Sequence, residues 1–143
     1  MNYYIFENIK DANFYPISAT RATTDIRIGS GTFLDRITTL ISSEDKLSLF
    51  VREEIAELTQ ERHPEIEVNP QEVTHGIWLA GNVFWTAELI KKIVHCSEYK
   101  WIYETSAVGY NLSKSMGTSW LKQGGPSNSE FSDGIETSDL SCD

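Results

Sequence analysis

Tyr3-Tyr4-Ile5-Phe6 is apolar at four consecutive positions. A strand with one wet face alternates apolar and polar residues, whereas an unbroken run fits a strand covered on both faces, as in a parallel sheet flanked by helices. Outward from this run, strands and helices alternate. Phe33, Leu34, Ile37, Leu40 and Ile41 recur at helical spacing and predict a first helix over 32–41. Leu47-Ser48-Leu49-Phe50-Val51 reads as a second strand, and Arg52 to Arg62 as a charged helix anchored by Ile55 and Leu58 and stopped by His63-Pro64. Ile66 and Val68 make a short third strand, and Ile77-Trp78-Leu79-Ala80 a fourth that ends at Gly81-Asn82. Thr86 caps a helix to about His95 with Leu89, Ile90, Ile93 and Val94 as its buried stripe, and Trp101-Ile102-Tyr103 follows as a strand. This order implies right-handed crossovers and an α/β fold, a mostly parallel sheet with helices on both sides.

The chain of 143 residues, 40% of them apolar, is long enough for one domain with a real core, expected over 1–112. From 113 to 143, Ser, Gly, Asp and Asn surround only scattered apolar residues such as Trp120, Leu121, Phe131, Ile135 and Leu140. So little burial does not offset the entropy of ordering, so this segment is expected to be a polar, acidic, mostly disordered tail, with room for Trp120-Leu121 to dock locally. A net charge of −9, from 21 acids against 12 bases, repels polyanions, and no basic stripe is present, so nucleic acid is not an expected partner. No run approaches the roughly 18 apolar residues of a membrane span, and Met1 to Glu7 lacks the features of a signal peptide, so a cytoplasmic location without membrane is expected. Cys96 and Cys142 have no paired spacing, and His63, His75 and His95 stand apart, so neither a zinc site nor a disulfide framework is suggested.

Ligands of open α/β sheets bind beyond the carboxyl ends of strands. The loop after the first strand has that address and contains Thr20-Arg21-Ala22-Thr23-Thr24-Asp25-Ile26-Arg27-Ile28-Gly29. Arg21 and Arg27 supply forked donors that match phosphate oxygens. Gly29-Ser30-Gly31-Thr32 adds amides and hydroxyls just before the first helix, where anions are favoured. The same residues equally fit a structural cluster in which Arg21, Asp25 and Arg27 pair with one another and the glycines only shape a turn. No Walker loop or complete Gly-x-Gly-x-x-Gly fingerprint is present. Asn82, at the end of the fourth strand, has the chemistry to bind a ligand hydroxyl or amide, or simply to shape its turn. Glu53, Glu54, Glu57 and Glu61 read as a solvated helix face, and the absence of a Gly-x-Ser-x-Gly elbow or a recognisable triad leaves hydrolase chemistry unsupported. Trp78, Phe84, Trp85, Trp101 and Tyr103 read first as core, with Phe84-Trp85 also suited to a pocket mouth or subunit interface.

Three places resemble a known family. These are the opening strand Tyr3 to Glu7, the run Tyr15 to Gly29 against a Leu-Thr-x-Thr-Arg-Pro-x-x-Asp-x-Arg-x-Gly signature, and Trp78-Leu79-Ala80-Gly81-Asn82-Val83 followed by Thr86-Ala87-Glu88-Leu89-Ile90. Together they resemble the sugar nucleotidyltransferase family, whose domains, in proteins resembling the bifunctional N-acetylglucosamine-phosphate uridyltransferase/acetyltransferase, precede a left-handed β-helix. The resemblance covers about residues 1 to 112. It implies a Rossmann-like three-layer sandwich and nucleotidyl transfer from a nucleoside triphosphate to a sugar 1-phosphate, with a nucleotide or sugar phosphate as ligand. Arg21 then stands where related pyrophosphorylases place the arginine of their phosphate loop. Thr20, Arg21, Asp25, Arg27, Gly29, Thr32 and Asn82 become the nucleotide-binding set: the arginines on phosphates, Asp25 orienting them, Gly29 and Thr32 in the anion-accepting turn, Asn82 on base or sugar.

Two departures qualify what the resemblance implies. Ala22 replaces the family's proline, and Tyr15-Pro16-Ile17-Ser18-Ala19 replaces the glycine-rich loop of the pyrophosphorylases. The family implies Mg²⁺ held by aspartates on later strands, yet no ligands are identified here, and the later strands are expected to be missing because the chain turns polar near Lys114. The expected domain is therefore an incomplete nucleotidyltransferase-like fold with little or no catalysis of its own. The alternative is a non-catalytic, homo-oligomerising module that covers an exposed sheet edge by dimerising.

Overall fold

A computed structural model describes residues 1–7, 27–28, 31–81, 83, 85–103, 106–126, 131 and 135–139. Nine strands and four helices follow in order: β1 (Asn2–Phe6), β2 (Arg27–Ile28), β3 (Gly31–Thr32), α1 (Phe33–Leu40), β4 (Lys46–Phe50), α2 (Ala56–Arg62), β5 (Glu67–Val68), β6 (Gly76–Ala80), α3 (Ala87–His95), β7 (Tyr99–Tyr103), β8 (Ser106–Leu112), α4 (Lys114–Lys122) and β9 (Glu136–Asp139). A 3-10 turn, Glu53–Ile55, leads into α2. Seven strands form one sheet in the order β5-β4-β1-β6-β8-β7-β9, and β2 pairs with β3 as a separate hairpin. Within the large sheet β8 runs against its two neighbours, while the other pairings are parallel. The fold is thus the α/β Rossmann-like sandwich expected from the sequence, with β1 between β4 and β6.

The unbroken apolar run of β1 has the cause inferred for it. Tyr3, Tyr4, Ile5 and Phe6 are all buried, flanked in register by β4 and β6. On one face of the sheet Tyr4 stacks on Trp78 at 4.6 Å between ring centroids and Phe50 on Trp78 at 4.9 Å. Trp120 of α4 closes that face, 5.1 Å from Trp78 and 4.7 Å from Tyr110. On the opposite face α3 comes so close to β8 that a Cβ at Gly109 would lie 2.5 Å from Ile93 Cδ1. Beside it, the buried Asn111 carboxamide donates from Nδ2 to the carbonyls of Ile93 (3.0 Å) and Val94 (3.1 Å), satisfying the end of α3. Its Oδ1 accepts from His75 Nε2 at 3.0 Å. Helices therefore lie on both faces.

Local chemistry sets the helix boundaries. Thr32 opens α1 with a capping box, its hydroxyl accepting from Asp35 N and the Asp35 carboxylate accepting from Thr32 N. Thr86 and Ser113 cap α3 and α4 by accepting from Leu89 N and Met116 N. Lys92 occupies the last turn of α3, where a cation is favoured by the helix dipole.

Within the segment from 113, expected from composition to be mostly disordered, the described residues include α4 (Lys114–Lys122) and β9 (Glu136–Asp139). Trp120 and Phe131 are each 1% exposed. Composition averages a segment and so hides two large aromatics that are buried against the sheet and each other. Gly117 lets α4 lie close to the sheet, since a Cβ there would sit 3.0 Å from Val73 Cγ2 and 3.5 Å from Trp78 Cζ2. Residues 127–130, 132–134 and 140–143 lie outside the described residues.

Two predictions arise from β1. A Cβ at Gly76 would fall 2.7 Å from Tyr4 Cε2 and 2.8 Å from the backbone oxygen of Asn2. Strand backbone cannot step aside as a side chain can, so Gly76→Ala is expected to lower stability by about 2 kcal/mol in urea unfolding. Tyr3 is held above the ordinary tyrosine value of 10.0 by burial, and secondarily by the nearby Asp45 carboxylate. Its folded-state value exceeds the unfolded one, so its contribution is intact below pH 10 and is lost as pH rises beyond. Tyr3→Phe should therefore narrow the stability difference between about pH 8 and about pH 11, read by urea unfolding at the two pH values; an unchanged difference would show that Tyr3 does not contribute to it.

Candidate functional site

β1, β4 and β6 finish level, with Phe6 in register with Phe50 and with Ala80. The ladder runs one residue further on each side: Glu7 N donates to Phe50 O at 3.0 Å and Gly81 N to Phe6 O at 2.8 Å. This brings Glu7 to the carboxyl rim. Its carboxylate, 4% exposed, accepts from Arg52 Nη1 at 2.7 Å and from Arg52 N at 2.8 Å. Arg52 side-chain exposure is 26%, and its Nε lies 3.9 Å from Glu54 Oε2. Both charges are thereby matched, and the pair ties the first residue after β1 to the second after β4.

Trp85 governs the rim on the other side of β1. Its fully buried indole donates from Nε1 to Ala80 O at 2.8 Å, folding the connection after β6 back onto the strand that precedes it. Arg36, exposed on α1, donates from Nε to Trp85 O at 3.3 Å. The start of α1 and the approach to α3 therefore meet beyond β1 and β6. From β1 the chain moves across the sheet to β4; from β6 it moves the opposite way, past β8 to β7. Such a reversal is where open α/β sheets receive ligands.

Of the residues singled out in the sequence, Thr20, Arg21, Asp25, Gly29 and Asn82 lie outside the described residues, as does Phe84. Arg27 is described through its backbone, in register with Thr32 across the β2–β3 hairpin. The hydroxyl of Thr32 serves the α1 cap, and the Asp35 carboxylate is the anion at that helix end. Trp85 belongs to the core instead of an interface. Glu7, Arg52 and Arg36 went unread as site residues. A signal for the first two was present, since each follows an apolar strand and the two strands are neighbours; Arg36 looked like any polar residue on the outer face of a helix.

Among the described residues no group of three or more His, Cys, Asp or Glu side chains is placed to hold a metal ion. Both oxygens of Glu7, at the end of β1, are held by Arg52. The described residues therefore do not fit a Mg²⁺ site, and no chemical step is assigned to that ion.

Beyond the ends of β4 and β5 lies a cleft of about 900 Å³, walled by residues 50–54, 69–71 and the end of α4 with the turn that follows it. Asn69 shapes its middle wall. At φ 51 it adopts the left-handed conformation that asparagine tolerates. Its backbone N donates to Leu49 O at 2.7 Å while its Oδ1 accepts from Val51 N at 2.8 Å, continuing the ladder beyond the short β5.

An open, mostly parallel sheet between helical layers, with its ligand address at the carboxyl rim, defines a Rossmann-like α/β sandwich. Among the described residues no helix is long and apolar enough to cross a membrane. The family model described as sugar nucleotidyl transferase matches residues 3–119, and the chain belongs to that family. The match extends through most of α4, beyond residue 112. No curated protein matches the chain.

Proposed function

We propose that this nucleotidyltransferase-like domain binds a nucleotide or sugar phosphate at the rim between β1 and β6 and, as this chain alone, carries out little or no nucleotidyl transfer. The family match across residues 3–119 carries the reading, because it spans the strands that build that rim. The family's chemistry moves a nucleotidyl group from a nucleoside triphosphate to a sugar 1-phosphate, releasing pyrophosphate. Its transition state concentrates negative charge on phosphoryl oxygens, which must be neutralised by metal or by fixed cations. Here the described residues contribute the Arg36 guanidinium, tethered through Nε to Trp85 O. The reading assigns two further guanidiniums, Arg21 and Arg27, to the ligand phosphates. Binding with little turnover is the reading favoured when these arginines are taken as the phosphate donors and, among the described residues, no set of three or more His, Cys, Asp or Glu side chains is placed to hold a metal.

Calorimetric titration of the full chain with UTP and Mg²⁺ tests this reading. Binding is expected, weakened by about tenfold or more in Arg21→Ala and in Arg36→Ala, as for loss of a charge-assisted contact to phosphate. An absence of heat that neither substitution alters would count decisively against it.

A further inference from the structure

We propose that the outer edge of β9 is a docking site for an extended, basic peptide strand of a partner protein, which pairs with it and lengthens the sheet. The seven-stranded sheet ends in β5 on one side and β9 on the other, and the two edges are finished differently. At the β5 edge the outward backbone groups are already taken. Gln60 of α2 accepts from Val68 N at 3.2 Å through Oε1 and donates to Ile66 O at 2.8 Å through Nε2. A side-chain carboxamide thus occupies the place of a neighbouring strand, which is one way an edge is kept from pairing. β9 carries no such cover among the described residues. Its residues pair with Tyr99–Ile102 of β7 on one side, without a register shift. Glu136 N donates inward, to Glu98 O at 3.4 Å. Backbone groups alternate in direction along a strand, so Ser138 also faces β7, whereas the N–H and C=O of Thr137 and Asp139 face away from the sheet. Among the described residues nothing bonds to these outward groups of Thr137. An open row of this kind is a template for strand addition.

Charge selects the occupant. β9 reads Glu136-Thr137-Ser138-Asp139, two acids and no base. Glu136 is exposed, and Glu98, also exposed, is tied to it through the backbone bond just described. The base nearest in register, Lys100 opposite Thr137, is 9% exposed. A second copy of the chain is the poorer occupant. Antiparallel pairing of two β9 strands about positions 137 and 138 sets Glu136 of one copy opposite Asp139 of the other, and parallel pairing in register sets each acid against itself; like charges directly opposite oppose pairing. Alternate residues of an added strand share one face, so lysine or arginine at every second position brings cations to the face that carries Glu136. Main-chain hydrogen bonds then give the affinity and the charges give the choice of partner. The inference rests on the sheet edge and does not depend on nucleotide binding at the β1–β6 rim.

The test is a set of ¹H–¹⁵N amide titrations of the full chain with three short peptides: alternating Lys and Thr, alternating Glu and Thr, and the Lys–Thr peptide with every backbone amide methylated. The Lys–Thr peptide is expected to shift the amides of 135–139 saturably and to slow hydrogen exchange at the Thr137 amide, while the other two leave them in place. Thr137→Pro removes an outward donor and leaves the ladder to β7 intact, as edge strands allow, and should weaken the peptide by about fivefold, the effect of one lost hydrogen bond. Glu136→Lys should weaken it by about tenfold through like-charge repulsion. The amide spectrum of each variant reports whether it folds, and Glu136→Lys together with the methylated peptide decides the matter if Thr137→Pro does not. The proposal is overturned if the Lys–Thr peptide leaves these amides in place, if the acidic or the methylated peptide moves them equally, or if the folded variants bind as the parent does. It is also overturned if concentrating the chain alone moves them, which would make a second copy the occupant.

Discussion

Trp120→Ala is expected to lower the free energy of unfolding by about 4 kcal/mol in urea, the scale of a large aromatic removed from a packed core. Trp120 is 1% exposed and, among the described residues, meets Tyr110 at 4.7 Å, Trp78 at 5.1 Å, Phe6 at 5.9 Å and Phe131 at 6.0 Å. These come from β8, β6, β1 and the segment after α4, so one truncation loosens three strands at once. Little rearrangement can fill the space, because the helix is already seated as close as Gly117 permits. Trp120→Phe should retain about half of the stabilisation, since part of the volume remains. A loss below about 1 kcal/mol for the alanine variant, the level of an ordinary surface change, would show that α4 contributes nothing to the core.

Glu7→Ala comes next, with an expected loss of about 3 kcal/mol. The carboxylate is almost wholly removed from water and holds both the guanidinium and the backbone N of Arg52. Deleting it removes the shortest ion pair of a partly buried cation, and this penalty, more than the attraction itself, sets the magnitude. The remaining exposure of Arg52 keeps the figure at the lower end for such pairs. Lys46 and Glu67 provide the contrast: they approach to 3.5 Å, but both side chains are at least half exposed, so Lys46→Ala should cost less than about 0.5 kcal/mol. In a double-mutant cycle Glu7→Ala combined with Arg52→Met should restore part of the loss, because no buried charge is then left alone. A Glu7→Ala effect equal to that of Lys46→Ala would reduce the pair to a surface contact.

The sequence made the central sheet legible because its signals were large. Four apolar residues in a row at 3–6 marked the innermost strand, the stripes of α1 and α3 marked the helices, and the cap expected at Thr86 is present; the cap at Thr32 was not anticipated. β8 was missed because Gly109 and Asn111 interrupt its apolar pattern. Both have packing reasons invisible in one dimension: α3 leaves no room for a Cβ at Gly109, and the ends of its hydrogen-bond ladder require the Asn111 carboxamide. α4 was missed because polar neighbours diluted Trp120 and because Gly117 weakens the periodicity it helps to seat. At the site, the loop after β1 was located by topology alone, and most of its named residues fall outside the described ones. Glu7 and Arg52 illustrate a further difficulty, since a charge is read as solvent-facing unless its partner, 45 positions away, is known.

The placement of Trp120 bears on how the chain is made. Synthesis proceeds from the amino end, and domains collapse as they emerge from the ribosome. Tyr4, Phe50 and Trp78 can stack as soon as β6 is out, yet the helix that covers them ends at Lys122. Until then a nascent chain presents an aromatic slab to its surroundings. The interval between translation of residues 80 and 122 is therefore when this protein most needs a chaperone, and slower decoding there should lower its soluble yield.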